Sequence, residues 1–433
     1  MIKQIFRQLW FYRRGNAWLF AELAVIVVAS WFLVNETWTS SYRISKVPDG
    51  IDAEDVFCVK LGILSPGRTG YDAGAASYER LAEDYARMGD ALRAMPEVLA
   101  AAPMSSCHPL SGGGMSMMSL TVDSLTYMNP VVFNRGSGSD DFSVFRYEVI
   151  WPRDGKIDDA PGSILITEDL AEFLFHGENP VGRTVGEACS EDIEGWNQRI
   201  AGVIGSLRVS GCQDNVPYVV ENTPESEMWS ESMYSLRLKP GTDAGKFLEK
   251  AQEEWRRDLV FGNWRVTDVY SMEEGIKSAV RSEVLDSQFV WRALWVFMVF
   301  NVLLAVASVG WLRMEERMEE TGIRRAMGGS GIRILFQYAA EMWLVFAAAA
   351  IVGTIVTVNI LLLGKISIVN PENNLGMVPL NSADFPLLFD PVPHFLAVEG
   401  IVLGLLFLAV TVAIILPVAG ALRKSPTDAL RTE

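Results

Sequence analysis

Histidine is the scarcest reactive side chain in this protein, with three residues among 433, His108, His176 and His394, far apart in sequence. This spacing indicates neither a metal cluster nor a histidine-based catalytic triad. The chain also lacks a G-x-x-x-x-G-K-[ST] phosphate loop, an H-E-x-x-H zinc motif and a G-x-S-x-G nucleophile elbow. We therefore expect no catalytic residue, no metal site and no cofactor bound by this chain.

Basic residues are also in deficit, with 37 Lys and Arg against 53 Asp and Glu, which gives a net charge of −16. The block 36–286 alone holds 41 acidic and 23 basic residues, so the acidity belongs to that block. Such a balance argues against a nucleic-acid partner, because nucleic-acid-binding domains are usually basic. It indicates a solubilising surface or, alternatively, a surface suited to cationic peptides.

Long apolar runs, by contrast, are present and define the architecture. Residues 17–34, 289–312, 334–363 and 395–418 are each mostly apolar and close to or above the length of about 20 residues that crosses a bilayer. They predict four transmembrane α-helices, with residues 35–288 inserted between helices 1 and 2. A cleaved signal peptide is the alternative for the first run, although no small-residue cleavage site follows it.

Basic residues near the span ends predict the orientation. They concentrate in residues 1–16, in the link 313–333 and in the tail 419–433. By the positive-inside rule these segments are cytoplasmic, and the domain 35–288 and the loop 364–394 are outside. Apolar residues repeat at helical spacing in residues 1–16, which predicts an amphipathic helix on the inner leaflet.

The inserted block reads as a mixture of strands and helices, which predicts an α+β extracytoplasmic domain. The order of these elements permits two subdomains, of which one is formed by the middle of the block, residues 105–232. The strand-like runs are 56–61, 117–122, 143–150, 164–167, 199–204, 218–221 and 235–238. The helix-like runs are 74–94, 168–175 and 244–259.

All four cysteines, Cys58, Cys107, Cys189 and Cys212, fall in this outer block, and none forms a C-x-x-C. An even number on the oxidising side predicts disulfides, with three pairings open. We favour Cys58–Cys107 and Cys189–Cys212, because these partners are nearest in sequence. Buried free thiols are the alternative.

The link between the second and third spans combines charge of both signs with a small apolar set. Ile323, Ala326 and Met327 are spaced to form one helical face, and glycines follow before the third span. A solvated inside loop is the simple interpretation. The apolar face instead suits docking to a partner protein. The same link contains Glu320, Gly322, Arg324, Arg325 and Gly328.

Four charged residues lie inside the spans: Glu22, Arg292, Glu341 and Glu399. Arg292 and Glu399 are both near the outer ends of their spans, so we hypothesise an interhelical ion pair. Gly400 and Gly404 form a G-x-x-x-G, a spacing that lets helices approach closely. It serves packing within the subunit or in a dimer.

Several segments resemble MacB/FtsX-like ABC transporter permease subunits. In the outer block these are residues 164–185 and 199–210. In the link, the family's coupling segment is an acidic residue before Gly-Ile-Arg-Arg-Ala-hydrophobic-Gly. The resemblance therefore implies that the residues coupling this chain to an ATPase are Glu320, Gly322, Ile323, Arg324, Arg325, Ala326, Met327 and Gly328. Pro426, Ala429, Leu430 and Arg431 match the family's C-terminal pattern. The resemblance implies a bacterial inner-membrane protein without its own ATPase. A separate ABC ATPase subunit would bind ATP, and a second permease subunit would complete a homo- or heterodimer in the lipid bilayer.

The implied function is mechanotransmission: ATP hydrolysis on the partner reshapes the outer domain, for export or extraction of a substrate at the outer face. An extracytoplasmic adaptor is a further expected partner. Two alternatives stay open from the sequence. One is a regulatory subunit that controls an extracytoplasmic protein such as a cell-wall hydrolase. The other is a membrane-tethered binding protein with no ATPase.

Overall fold

The computed structural model describes residues 13–110, 116–122, 125–187, 197–209, 215–281, 286–316, 323, 327, 330–364 and 385–422. The chain divides into two compact units. We call one the membrane unit (Met1–Tyr42, Asp286–Asn370 and Ala383–Glu433) and the other the outer unit (Arg43–Leu285 and Pro371–Ser382).

The described elements of the membrane unit are helices, whereas strands and helices alternate along the outer unit. The helices are α1 (Arg13–Lys46), α2 (Tyr78–Arg93), α3 (Asp141–Phe145), α4 (Glu168–Phe175), α5 (Ala244–Asp258), α6 (Met272–Val280), α7 (Asp286–Glu316), α8 (Gly331–Leu363), α9 (Pro386–Phe389) and α10 (Pro391–Leu422). The strands are β1 (Val56–Ile63), β2 (Val98–Pro103), β3 (Ser116–Val122), β4 (Leu125–Ser137), β5 (Val149–Trp151), β6 (Ser163–Thr167), β7 (Thr184–Glu187), β8 (Asn197–Ile204), β9 (Leu207–Arg208), β10 (Asn215–Val216), β11 (Tyr218–Pro224), β12 (Met233–Leu238), β13 (Val260–Phe261) and β14 (Trp264–Ser271).

Within the described residues, four helices are long and apolar enough to cross a membrane: Ala17–Lys46, Phe289–Glu316, Gly331–Leu363 and Pro391–Ile415. One precedes the outer unit and three follow it. This order, together with the mixed strands and helices of the outer unit, confirms the predicted fold class of a multi-pass membrane protein with an inserted α+β domain.

The helix bounds differ from the predicted span bounds where local chemistry extends a helix. α1 continues to Lys46 instead of ending at 34, because neither glycine nor proline occurs between there and Pro48. The hydroxyls of Thr37 and Ser41 also donate to carbonyls four residues back. α8 begins at Gly331, capped by Ser330. The predicted outer loop 364–394 already contains α9 and the start of α10. Residues 1–12 and 423–433 lie outside the described residues.

The outer unit contains a five-stranded antiparallel sheet in the order β13-β14-β1-β12-β2. Successive residues of β1 point to opposite faces, as the strand period requires. Phe57 and Val59 enter a core shared with α2 and α5, whereas Val56 and Cys58 enter a second core. Both faces of this sheet are therefore covered.

The second core lies between the sheet and a closed barrel. β8 pairs with β6, β6 with β11, β11 with β4, β4 with β3, β3 with β7, and β7 returns to β8. All six strands contribute to an apolar interior, to which α4 adds Leu170 and Leu174. Closure leaves these six strands without a free edge.

The barrel strands run from residue 116 to residue 224, within the predicted middle subdomain 105–232. The two subdomains are joined by a common core, in which Cys58 and Ala102 of the sheet meet Phe133 and Val220 of the barrel. The alternation of strand residues produces this arrangement. Strands β1, β4, β6, β8 and β11 each have one apolar set for the shared core and a second for the core of their own subdomain.

Most local predictions agree with the structure, and one is wrong. The helix over 168–175 has the predicted bounds. The strand over 143–150 is wrong, because residues 141–145 form helix α3 and only Val149–Trp151 is extended. The helix ends at Arg146, whose positive φ of 54° reverses the chain before the short strand.

Candidate coupling site

The link between the second and third spans presents two apolar side chains on one helical turn. The backbone N–H of Met327 donates to the carbonyl of Ile323 at 3.0 Å. This four-residue bond places both side chains on the same face of the turn. Ile323 is 50% exposed and Met327 is 76% exposed. The other predicted coupling residues, Glu320, Gly322, Arg324, Arg325, Ala326 and Gly328, lie outside the described residues.

A third apolar side chain follows at the start of α8. The Ser330 hydroxyl accepts from the backbone N–H of Arg333 at 3.3 Å, which fixes the first turn of the helix. Ile332, within this turn, is 69% exposed. Ile332 is not among the predicted coupling residues, because the predicted third span begins at residue 334. The Ser330 cap before Gly331 was the available signal.

Exposed apolar groups in a segment flanked by charge suit the burial of a partner's surface. Transfer of apolar area from water stabilises a contact by about 25 cal/mol per Å². Isolated exposed residues are ordinary on protein surfaces, whereas a paired set on one turn forms a contact face. Ile323 and Met327 therefore present exposed apolar surface on one helical turn.

The charged residues of the spans are distributed differently from the prediction. Glu341 is buried in α8, Glu22 is half-buried in α1 and Arg292 is exposed on α7. Glu399 of α10 accepts a short hydrogen bond from the hydroxyl of Thr354 in α8. No described residue donates to its second oxygen, Oε2. The predicted ion pair with Arg292 is thus wrong, because the buried carboxyl of Glu399 contacts α8 and the side chain of Arg292 is exposed.

Close helix approach occurs at a different glycine from those predicted. Side chains built on Gly400 and Gly404 would meet nothing within 4 Å among the described residues. A Cβ on Gly353 of α8, by contrast, would lie 2.7 Å from Cγ1 of Val27 and 3.1 Å from the carbonyl oxygen of Ala24. Gly353 is therefore the residue that lets α1 and α8 approach, and the G-x-x-x-G faces open space.

The favoured disulfide Cys58–Cys107 is not formed, since both cysteines are free thiols within the described part of the chain. Cys58 points from β1 into the shared core, where its Sγ lies 3.9 Å from Sδ of Met104. Burial raises the pKa of the Cys58 thiol to about 12, so it behaves as an inert core residue. Cys189 and Cys212 lie outside the described residues, and their pairing stays a prediction.

His108 has a structural role in the outer unit. Its ring stacks on Phe145 with centroids 4.1 Å apart, Nδ1 lies 2.7 Å from the carbonyl of Pro109, and Nε2 lies 2.7 Å from the Tyr147 hydroxyl. Burial lowers the pKa of His108 to about 3, so the ring is neutral. Across the described ranges, no group of three or more His, Cys, Asp or Glu side chains is arranged to hold a metal ion.

Buried arginines are the feature of the outer unit that sequence reasoning missed. Arg135 is 3% exposed and binds both carboxylate oxygens of Asp141, at 2.7 and 2.5 Å. It also donates to Asn222 at 2.7 Å and to Asp159. These acceptors come from three separate stretches of chain, so no local pattern indicates them.

Comparison with known proteins gives matches among solved structures. No family model and no curated protein matches it. Among solved structures, the periplasmic region of MacB from Actinobacillus actinomycetemcomitans has 12% identity and a TM-score of 0.34, covering 55% of this chain and 97% of that chain. The extracellular domain of the noncanonic ABC-type transporter YknZ from Gram-positive bacteria has 13% identity and a TM-score of 0.29, covering 49% of this chain and 100% of that chain.

A domain of a protein assigned as a permease from Porphyromonas gingivalis has 18% identity and a TM-score of 0.31, covering 51% of this chain and 92% of that chain.

Proposed function

We propose that this chain is the permease-type subunit of an ABC transporter. It couples ATP hydrolysis on a separate ATPase subunit to conformational change in its outer unit, for export or extraction of a substrate at the outer face. The observation that carries the proposal is the exposed pair Ile323 and Met327 on one turn of the link between the second and third spans.

The composition of the chain supports a separate source of ATP energy. No phosphate loop occurs in the 433 residues. A dimer of such subunits on two ATPases is the assembly that the family resemblance implies. Both termini and the link would lie in the cytoplasm, where the ATPase is, and an adaptor would bind the outer unit.

Replacement of the apolar pair tests the docking step. In the variant Ile323→Asp with Met327→Asp, two desolvated carboxylates would oppose the contact, so co-purification of an ATPase with the tagged chain in mild detergent should be lost. Mass spectrometry of the wild-type eluate identifies the ATPase. Leu99→Asp is the matched control, because Leu99 is 48% exposed but belongs to β2 of the outer unit.

Equal ATPase recovery in the double variant and the wild type would sink the docking model. Recovery of the wild-type chain alone, repeated after crosslinking, would favour the tethered binding protein. Co-purification of an extracytoplasmic enzyme together with the ATPase would point to the regulatory subunit.

A further inference from the structure

Residues 47–55, here called the connector, join the end of α1 to the start of β1. Arg208 of β9 is 1% exposed and holds the first part of the connector. Its Nη1 donates to the carbonyl of Val47 at 2.9 Å and lies 3.0 Å from Oδ1 of Asp49. Its backbone N–H donates to the carbonyl of Asp49 at 3.3 Å.

The end of α3 and Ser206 hold the middle of the connector. The backbone N–H of Asp52 donates to the carbonyl of Phe145 at 2.9 Å, and Arg146 donates to the Asp52 carboxylate at 2.8 Å. Gly50 has a φ of +81°, and a Cβ there would lie 2.2 Å from the carbonyl oxygen of Ser206. Glycine is required here by both backbone conformation and close approach.

The five-stranded sheet holds the last part of the connector through Arg237 of β12. This side chain is 3% exposed. It donates to the carbonyl of Glu54 at 2.8 Å, to that of Asp52 at 2.6 Å and to that of Val144 at 2.7 Å. Two buried guanidinium groups therefore fasten one short segment, Arg208 from beside the barrel and Arg237 from the sheet.

Burial of a guanidinium costs several kcal/mol unless its donors are matched. Both arginines donate to carbonyls of the connector, so their positions and that of the connector are coupled. The second connection to the membrane unit leaves from the same end of the sheet. Ser271, at the end of β14 before α6, pairs with Phe57 near the start of β1.

We propose that the connector delivers displacement of the end of α1 to both halves of the outer unit, with Arg208 and Arg237 as positioning residues. The inference rests on the proposed function, since it names the route by which ATPase-driven movement reaches the barrel. Without Arg208 the end of α1 stays joined to the sheet through β1 and Arg237. The connector then keeps the backbone bond from residue 208 to Asp49 and loses both side-chain contacts with Arg208.

Hydrogen exchange of the full chain with its co-purified ATPase in lipid nanodiscs tests this route, with and without a non-hydrolysable ATP analogue. In the wild type the analogue should change exchange in the sheet strand β1, in the barrel strand β8 and in β9, which follows β8. In Arg208→Gln the response of β8 and β9 should be lost, while that of β1 and the recovery of ATPase persist. Arg208→Lys should restore part of the barrel response, because an ammonium group still provides donors to the connector.

Arg199→Gln is the matched control. Arg199 lies on β8 of the same barrel, but its pair with Asp158 is exposed, at 44% and 60% of the two side chains, and neither residue belongs to the connector. It should respond as the wild type does. If Arg208→Gln does not fold, Asp49→Ala is the alternative variant. It removes the carboxylate that Arg208 contacts, on a side chain that is 36% exposed, and should weaken the same barrel response.

A barrel response in Arg208→Gln and Asp49→Ala equal to that of the wild type would overturn the connector route and leave the proposed function intact. The same holds if the wild type binds its ATPase yet shows no nucleotide response in the barrel. If no ATPase is recovered with the wild type, the proposed function fails, and the inference fails with it.

Discussion

The buried arginines of the outer unit and the buried carboxyl of Glu399 in the membrane unit differ in how many hydrogen bonds they make. In the outer unit, Arg135, Arg208 and Arg237 are each 1–3% exposed, and each donates to two or more acceptors. In the membrane unit, Glu399 is 6% exposed and receives one hydrogen bond, from Thr354. Among the described residues, the Ser30 hydroxyl and the Trp31 indole N–H also lack partners.

The difference reflects how the elements within each unit are held together. Transmembrane helices satisfy their backbone groups internally and associate by close packing, as Gly353 does against Val27. The outer unit is assembled from stretches distant in sequence, and its multiply bonded arginines specify how those stretches meet. Substitution of a buried arginine should therefore cost more than substitution of the buried carboxyl in the membrane.

The largest effect should come from Arg135→Ala. The change leaves Asp141, at 2% exposure, without its cation. Removal of one partner of a buried pair costs about 3–5 kcal/mol. We expect a loss of this size in the free energy of unfolding of the outer unit, measured by denaturant titration of the full chain. Arg199→Ala, in an exposed pair, should cost less than about 1 kcal/mol. Equal losses in the two variants would contradict the comparison.

Asp169 should give the next largest effect, because its buried carboxyl is incompletely paired. Ser206 donates to its Oδ1 at 2.5 Å, and no described residue donates to its buried Oδ2. Burial raises the pKa of Asp169 to about 6 from an ordinary 3.8, although the Ser206 hydrogen bond opposes the rise. The folded state therefore holds the proton more tightly than the unfolded state does.

A raised carboxyl pKa contributes stability that is present below pH 3.8 and is lost as the pH rises through about 6. Asp169→Asn carries no charge at any pH. Relative to the wild type, it should gain up to about 3 kcal/mol in the free energy of unfolding between pH 4 and pH 8, at 1.36 kcal/mol per pKa unit. Glu178→Gln, on an exposed side chain, is the control. A difference between Asp169→Asn and the wild type that does not vary with pH would disprove the assignment.

Gly353→Ala should destabilise the membrane unit by about 1–3 kcal/mol, because its Cβ would overlap Val27. Gly400→Ala should be neutral or stabilise by up to about 1 kcal/mol, as alanine does in an open helix position. Thermal unfolding of the full chain in detergent compares the two. If Gly400→Ala were the more harmful, the G-x-x-x-G would be a contact surface after all.

Glu399→Gln should have the smallest effect. The amide keeps an oxygen that accepts from Thr354, and it removes a group whose charge costs about 2.5–3.5 kcal/mol at the centre of a membrane helix. We expect a variant at least as stable as the wild type in the same thermal measurement. Glu399→Leu should lose about 0.5–1.5 kcal/mol with the hydrogen bond. A large loss in Glu399→Gln would mean that the membrane unit depends on this charge.

Features with a local signal were predictable. The apolar runs gave the four spans because crossing a bilayer needs one continuous stretch of residues. Thr167 followed by Glu168 and Asp169 gave helix α4 with its bounds, since acids favour a first turn. Spacing along one turn gave the apolar pair Ile323 and Met327, which is exposed as a docking face requires.

Features without a local signal were missed or wrong. β2 is rich in alanine, and β4 contains Pro130 and several polar residues, so neither has a clear strand pattern. The preferred partner of Cys58 was chosen by distance along the chain, whereas the direction of its side chain from β1 decides what it meets. The partner of Glu399 was missed for the same reason.

The sequence by itself determined the number and order of the apolar spans and the apolar turn of the link, because each depends on residues close together in the chain. Only the tertiary structure decided that the barrel closes, that Gly353 is the glycine at a helix contact, and that Arg208 and Arg237 hold the connector. Each of these joins residues distant in sequence, and their meeting is set by packing and by the need to satisfy buried charge.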